Sequence, residues 1–175
     1  MEPLAWGVRV SSSFRNHIRR MAQRLMMPPE GAQWLMACIA WESGETFSPS
    51  IRNAAGSGAT GLIQFMPATA RGLGITVEHL AQMTAESQLL YVEKYFLPYR
   101  GRLNTLSDVY MAILWPAAIG KPENALLWDA ATRPTTYRQN AGLDVNKDWR
   151  ITKEEAASKV ARKLRKGLAP ENALA

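Results

Sequence analysis

With 175 residues, 47% of them hydrophobic and 21% charged, the chain is long enough for one domain with a sizeable core, and its composition excludes a disordered, collagen-like or low-complexity polymer. The lone cysteine, Cys38, excludes an internal disulfide framework and any multi-cysteine zinc site, and with two histidines besides, a His/Cys metal site is not expected. A net charge of +6 fits a polyanionic partner, and nucleic acid, anionic lipid and anionic wall polymer all qualify.

The N-terminus, MEPLAWGVRVSSS, has no basic segment followed by an apolar one, and the longest apolar run, Trp34 to Trp41, is far short of the ~20 residues that span a bilayer. The expectation is a chain made in the cytoplasm without a signal peptide or transmembrane segment. Ser11 to Ser13 offer caps for a first amphipathic helix with the stripe Phe14, Ile18, Met21, Leu25 and Met26, stopped by Pro28-Pro29. A second helix runs from about Pro29 to Gly44; it is apolar almost all round from Trp34 to Trp41, which predicts a central buried helix with Glu42 at its C-terminal end. From Thr46 to Thr60 the pattern dissolves into Ser, Pro, Asn and Gly, a long loop of the kind that usually carries function. It resumes as GLIQFMPATARGLG, where Pro67 suits the first turn of a short helix. Further helices are predicted at Thr76–Met83, Thr84–Leu97, Thr105–Trp115 and Pro122–Ala131. The last spans Thr152 to Lys166, with a Thr152/Glu155 capping box, the stripe Ala156, Val160 and Leu164, and Gly167 and Pro170 closing it. With no repeat or linker, residues 1–175 form one mainly α domain of seven or eight helices.

The basic excess lies at the ends. Five arginines and no acid stand between Pro3 and Pro29, and Arg150 to Lys166 holds seven basic residues against Glu154 and Glu155, whereas Leu25 to Trp149 has nine basic and eleven acidic residues. These are solvated faces of terminal helices or, at the last helix, a means of retention on an anionic wall or outer-membrane surface. No base-reading motif accompanies them, so nucleic acid is not an expected partner.

Two segments carry the chemistry: WESGETF, Trp41 to Phe47, and GATGLIQFMPATA, Gly58 to Ala70. A carboxylate placed directly after a Trp at the end of an apolar helix is partly desolvated, which raises its pKa toward the range of a general acid. Together the segments resemble, in order and spacing, the first two motifs of the lysozyme-like soluble lytic transglycosylases, which cut peptidoglycan glycan strands. The resemblance covers about Trp34 to Tyr137. It implies a single lysozyme-like, goose-type helical domain, Glu42 as the sole catalytic acid/base, Ser43 supporting substrate or Glu42, and Gln64 and Phe65 lining the sugar groove. The family's Ala-Tyr-Asn-x-Gly motif is not matched: the corresponding stretch is YMAILWPAAIGKP, where Trp115 stacks on a sugar or belongs to the core. Tyr137 is the match to the family's late groove tyrosine, with ordinary packing as the alternative.

The implied reaction cleaves the MurNAc–GlcNAc β-1,4 bond and needs no cofactor. Glu42 protonates the glycosidic oxygen, then takes the proton of the MurNAc 6-hydroxyl as it attacks C1, giving a 1,6-anhydro sugar. Hydrolytic enzymes need a second carboxylate; Glu45 is nearest in sequence, so a hydrolytic muramidase stands as an alternative, as does an inactive wall-binding module. In length and missing export signal the chain resembles the phage-type members, acting as an endolysin after holin-dependent release or within a virion beside tail or baseplate proteins. A last signal is DVNKDWRITKEE, Asp144 to Glu155, which leads into the basic helix and resembles an EF-hand calcium loop, with Asp144, Asn146, Asp148 and Glu155 as ligands and Trp149 in the glycine position. A bound structural Ca²⁺ and a metal-free turn capped by Glu155 are both open.

Overall fold

The Phe14–Ile18–Met21 stripe acts as its spacing predicts: in the computed structural model, which describes residues 2–175, α1 (Ser12–Arg24) buries these three side chains and Ala22. Its N-cap is Ser11, whose hydroxyl accepts the Phe14 N–H at 3.1 Å. Helix α2 (Gly31–Glu42) is buried along Leu35 to Ala40 because it lies between α1, α6 and α8 and has no face left for water. The shorter α3 (Pro67–Gly72) and α4 (Val77–Gln82) follow the loop, then α5 (Ala85–Phe96) and α6 (Leu106–Leu114). Thr76, Thr84 and Thr105 cap α4, α5 and α6. The last two helices are α7 (Pro134–Gln139) and α8 (Lys153–Leu168), and α8 carries the complete Thr152/Glu155 capping box. The fold is mainly α, and among the described residues no helix is long and apolar enough to cross a membrane.

One predicted helix is replaced. Within Pro122–Ala131 the chain forms the strand β1 (Leu126–Asp129), antiparallel to β2 (Arg150–Thr152), with Trp128 opposite Ile151 and Asp129 opposite Arg150. Trp128 and Ile151 face the core while Leu126 is exposed. The backbone groups a local helix would have satisfied are paired across the ladder, which the Lys153 N–H to Ala125 O and Glu154 N–H to Glu123 O bonds extend. Helix α7, started by Pro134, lies unforeseen in the connection between the two strands.

The two ends of the chain are clasped together. Leu4 and Leu174 exchange backbone bonds, and the Trp6 N–H donates to Gly167 O at 3.0 Å. The buried Trp6 indole donates to Lys163 O at 3.0 Å and packs where a Cβ on Gly167 would stand 2.4 Å away. Arg15 donates to the carbonyls of Gly7, Val10 and Ala175, and Arg19 to that of Glu2. Part of the terminal positive charge is therefore spent on the chain's own backbone. At the other side of α8, the buried Lys153 ammonium bonds Asp108 of α6 at 2.6 Å and Lys121 O at 2.8 Å, while Asp108 also accepts the Gly120 N–H.

Candidate active site

Glu42 is the last residue of α2, where the helix stops turning and Gly44 (φ 60°) and Glu45 (φ 66°) reverse the chain. Its side chain is half-buried and takes no stabilising partner among the described residues, and burial raises its carboxyl pKa to about 7. Around it stand Cys38 one turn earlier, the Trp41–Tyr110 pair, whose indole N–H donates to the phenol oxygen at 3.2 Å, and Tyr95, whose hydroxyl donates to Ala112 O. Burial raises the Tyr95 hydroxyl to about 12 and lifts Tyr110 and the Cys38 thiol as well; the Glu42 charge adds to all three. Trp41 was marked in the sequence as the residue before Glu42, whereas Tyr95 and Tyr110, on α5 and α6, were not. They stand near enough to Glu42 for its charge to raise the Tyr95 and Tyr110 hydroxyls.

Glu45 has the opposite environment. Its carboxylate bonds Lys163 and, at 2.8 Å, Lys166, both on α8, and these two ammonium groups hold its pKa below the usual carboxylate range. It is an ionised anchor for α8.

The other expected site residues divide. The expected support of substrate or Glu42 by Ser43 is not seen: its buried hydroxyl donates to Ile39 O at 2.7 Å and accepts the Phe47 N–H at 3.1 Å, so it fixes the turn behind Glu42. Phe65 is buried edge-on against Tyr95, with centroids 6.4 Å apart, and so supports that ring from behind instead of lining a groove. Gln64 is half-buried in a left-handed conformation (φ 56°), and its amide donates to Ile51 O and Gly61 O, closing the Gly61–Phe65 turn. Trp115 ends α6 with its ring 4.7 Å from Trp128 and the Arg133 guanidinium over it. Tyr137 is buried and donates its hydroxyl to Asp144 at 2.6 Å, which ties it to the 144–155 loop.

The residue that holds the Gly-rich segment in place is Gln88, unremarked in the sequence. Fully buried on α5, it accepts the Leu62 N–H at 2.8 Å and donates to Pro49 O and Leu80 O. A Cβ on Gly61 would stand 2.3 Å from its carbonyl oxygen, so Gly61 is required there for space as well as for its φ of 87°. The available signal was an amide at a position of α5 where the helical spacing calls for an apolar residue.

In the 144–155 loop, carboxylate oxygens of Asp144, Asp148 and Glu155 lie within 4.8 Å of one another. Donors to one Ca²⁺ at ~2.3–2.6 Å are at most about 5.2 Å apart, so the spacing fits that ion. Trp149 adopts the left-handed conformation the loop demands (φ 68°), at a cost of about 1 kcal/mol that glycine would avoid. Asn146 accepts the Asp148 N–H at 3.0 Å, Asp144 accepts the Asp148 and Trp149 N–H groups, and Ile151 joins β2. Burial and then the charges of Asp148 and Asp144 raise the Glu155 pKa.

No protein-family model matches the chain, and no curated protein matches it in sequence.

Proposed function

We propose that this protein is a lysozyme-like peptidoglycan lytic transglycosylase of the phage type, with Glu42 as its single acid/base. The observation that carries the reading is the contrast between two neighbouring carboxyls. Glu42 is unpartnered, desolvated and poised near neutral pH, while Glu45 is locked to two lysines. A group titrating at about 7 can both give and take a proton at that pH. Glu42 donates its proton to the glycosidic oxygen as the C1–O4 bond breaks. The resulting carboxylate takes the proton of the MurNAc 6-hydroxyl as O6 bonds C1, so no water is consumed and Glu42 ends protonated. An intramolecular attack needs no second carboxylate to hold a water, and proximity supplies much of its rate. A hydrolytic route through Glu45 is disfavoured because a carboxylate held by Lys163 and Lys166 is a poor base.

In this reading Gln64 and the Tyr95–Tyr110 wall stand beside the cleaved strand, and Ser43 and Phe65 position the groups that touch it. Asp144, Asn146, Asp148 and Glu155 of the 144–155 loop would hold one structural Ca²⁺, whose charge would offset the mutual repulsion of the carboxylates. The chain acts on the wall after release from the host cytoplasm or as part of a virion. Lysis of purified wall by wild type, and its loss in a folded Glu42→Gln variant, tests the assignment; undiminished lysis by that variant removes Glu42 from the mechanism.

A further inference from the structure

Five of the six tryptophans are buried or half-buried, but Trp149 is 67% exposed. It also occupies a left-handed position that glycine fills without strain, so the turn itself gives no reason for an indole. The backbone of Trp149 is fixed on both sides. The Trp149 N–H donates to Asp144 and its carbonyl accepts the Ala130 N–H, each at 3.0 Å, and the Tyr137 ring lies 6.1 Å from one side. Trp149 forms a wall of a cavity of about 660 Å³ together with Leu126, Asp129, Thr132 and Arg150, within the ~300–1,000 Å³ range of ligand sites. A second cavity of about 250 Å³ shares Leu126, Asp129 and Thr132 with it and is lined further by Trp115, Trp128 and Arg133. The Trp128 indole N–H is buried and has no acceptor among the described residues, whereas buried donors nearly always find one. Neither cavity is lined by Cys38, Trp41, Glu42, Tyr95 or Tyr110.

We infer that this end of the molecule is a second saccharide-binding site: Trp149 stacks on the carbon-bound hydrogens of a pyranose, and the sugar's hydroxyl and acetamido groups meet Asp129, Thr132 and Arg150. The choice of ligand rests on the wall-glycan reading of Glu42. The walls support it independently. A purely apolar anchor would leave the polar walls Asp129, Thr132, Asp148 and Arg150 unpaired. A pyranose satisfies both the flat apolar face and the polar rim. Holding the same strand at a second point raises its effective concentration at Glu42.

The test compares retention on purified, insoluble peptidoglycan of Glu42→Gln with that of Glu42→Gln/Trp149→Gly. Retention is expected to fall roughly tenfold, the scale of one aromatic anchor, with no loss of Tm, because glycine relieves the left-handed strain. Trp149→Tyr in the same background is expected to restore most of it. Equal retention with Trp and Gly, retention of neither protein, or a loss that Tyr does not restore overturns the inference. A partner protein released by Trp149→Gly while wall retention stays equal overturns it too. Undiminished lysis by Glu42→Gln defeats the catalytic reading; the comparison is then read on ice before the wall dissolves, so that it still measures binding alone.

Discussion

A carboxyl whose pKa rises from 4.5 to about 7 on folding carries a cost that depends on pH, and Glu42 is the residue that bears it. The folded state disfavours the charged form, so the cost is absent below pH 4.5, grows as pH rises, and reaches up to about 3 kcal/mol above pH 7. Glu42→Gln is therefore expected to melt higher than wild type at pH 8 and at nearly the same temperature at pH 4, measured by thermal unfolding at both. Activity runs the other way: kcat/KM is expected to fall as pH rises above about 7 and the acid loses its proton. Glu45→Gln is expected to keep lytic activity and lose no more than about 1 kcal/mol, because its lysine pairs are partly exposed; loss of lysis would return Glu45 to the reaction. At this scale the sequence was informative about Glu42, since a Trp-Glu step at the end of an apolar helix specifies desolvation. It was silent on whether a motif residue faces inward. Ser43 and Phe65 belong to the same two segments, yet both are buried, because orientation at the end of a helix depends on the turn that follows it.

Helices whose apolar spacing is local were legible. Phe14, Ile18 and Met21 of α1, the starts of α4, α5 and α6 after Thr76, Thr84 and Thr105, and the Thr152/Glu155 capping box lie where the residues predict them. The expected first stripe overran at Met26, which is past the end of α1 and exposed. The stretch containing Leu126–Asp129 was not legible, since its partner is the distant Arg150–Thr152 and nothing in LLWD itself announces the pairing. Gln88 illustrates the same point for a side chain. It joins α5 to Pro49, Leu62 and Leu80, and Gln88→Leu would strand the Leu62 N–H and two carbonyls. The expected cost is at least about 2 kcal/mol in denaturant unfolding, with lytic activity falling because the Gly61–Phe65 turn loses its anchor. The 144–155 loop makes a matching claim for ligand binding. Millimolar Ca²⁺ is expected to raise Tm relative to EDTA, and Asp144→Ala to abolish the difference; equal melting in both conditions would identify the loop as the metal-free turn.

For the molecule as a whole, α8 is the shared strut. It receives the N-terminal segment through Trp6, the turn after Glu42 through Glu45, and α6 through the buried Lys153–Asp108 pair. The +6 charge thus has structural uses: Lys163 and Lys166 hold Glu45, while Arg15 and Arg19 hold the chain ends. Glu42 is desolvated and poised near neutrality, and the proposed intramolecular cleavage asks for one such group. The most direct measurement is the mass of the fragments released from purified peptidoglycan. The account predicts muropeptides ending in 1,6-anhydroMurNAc, one water lighter than hydrolytic products, and fragments carrying reducing MurNAc ends would contradict it.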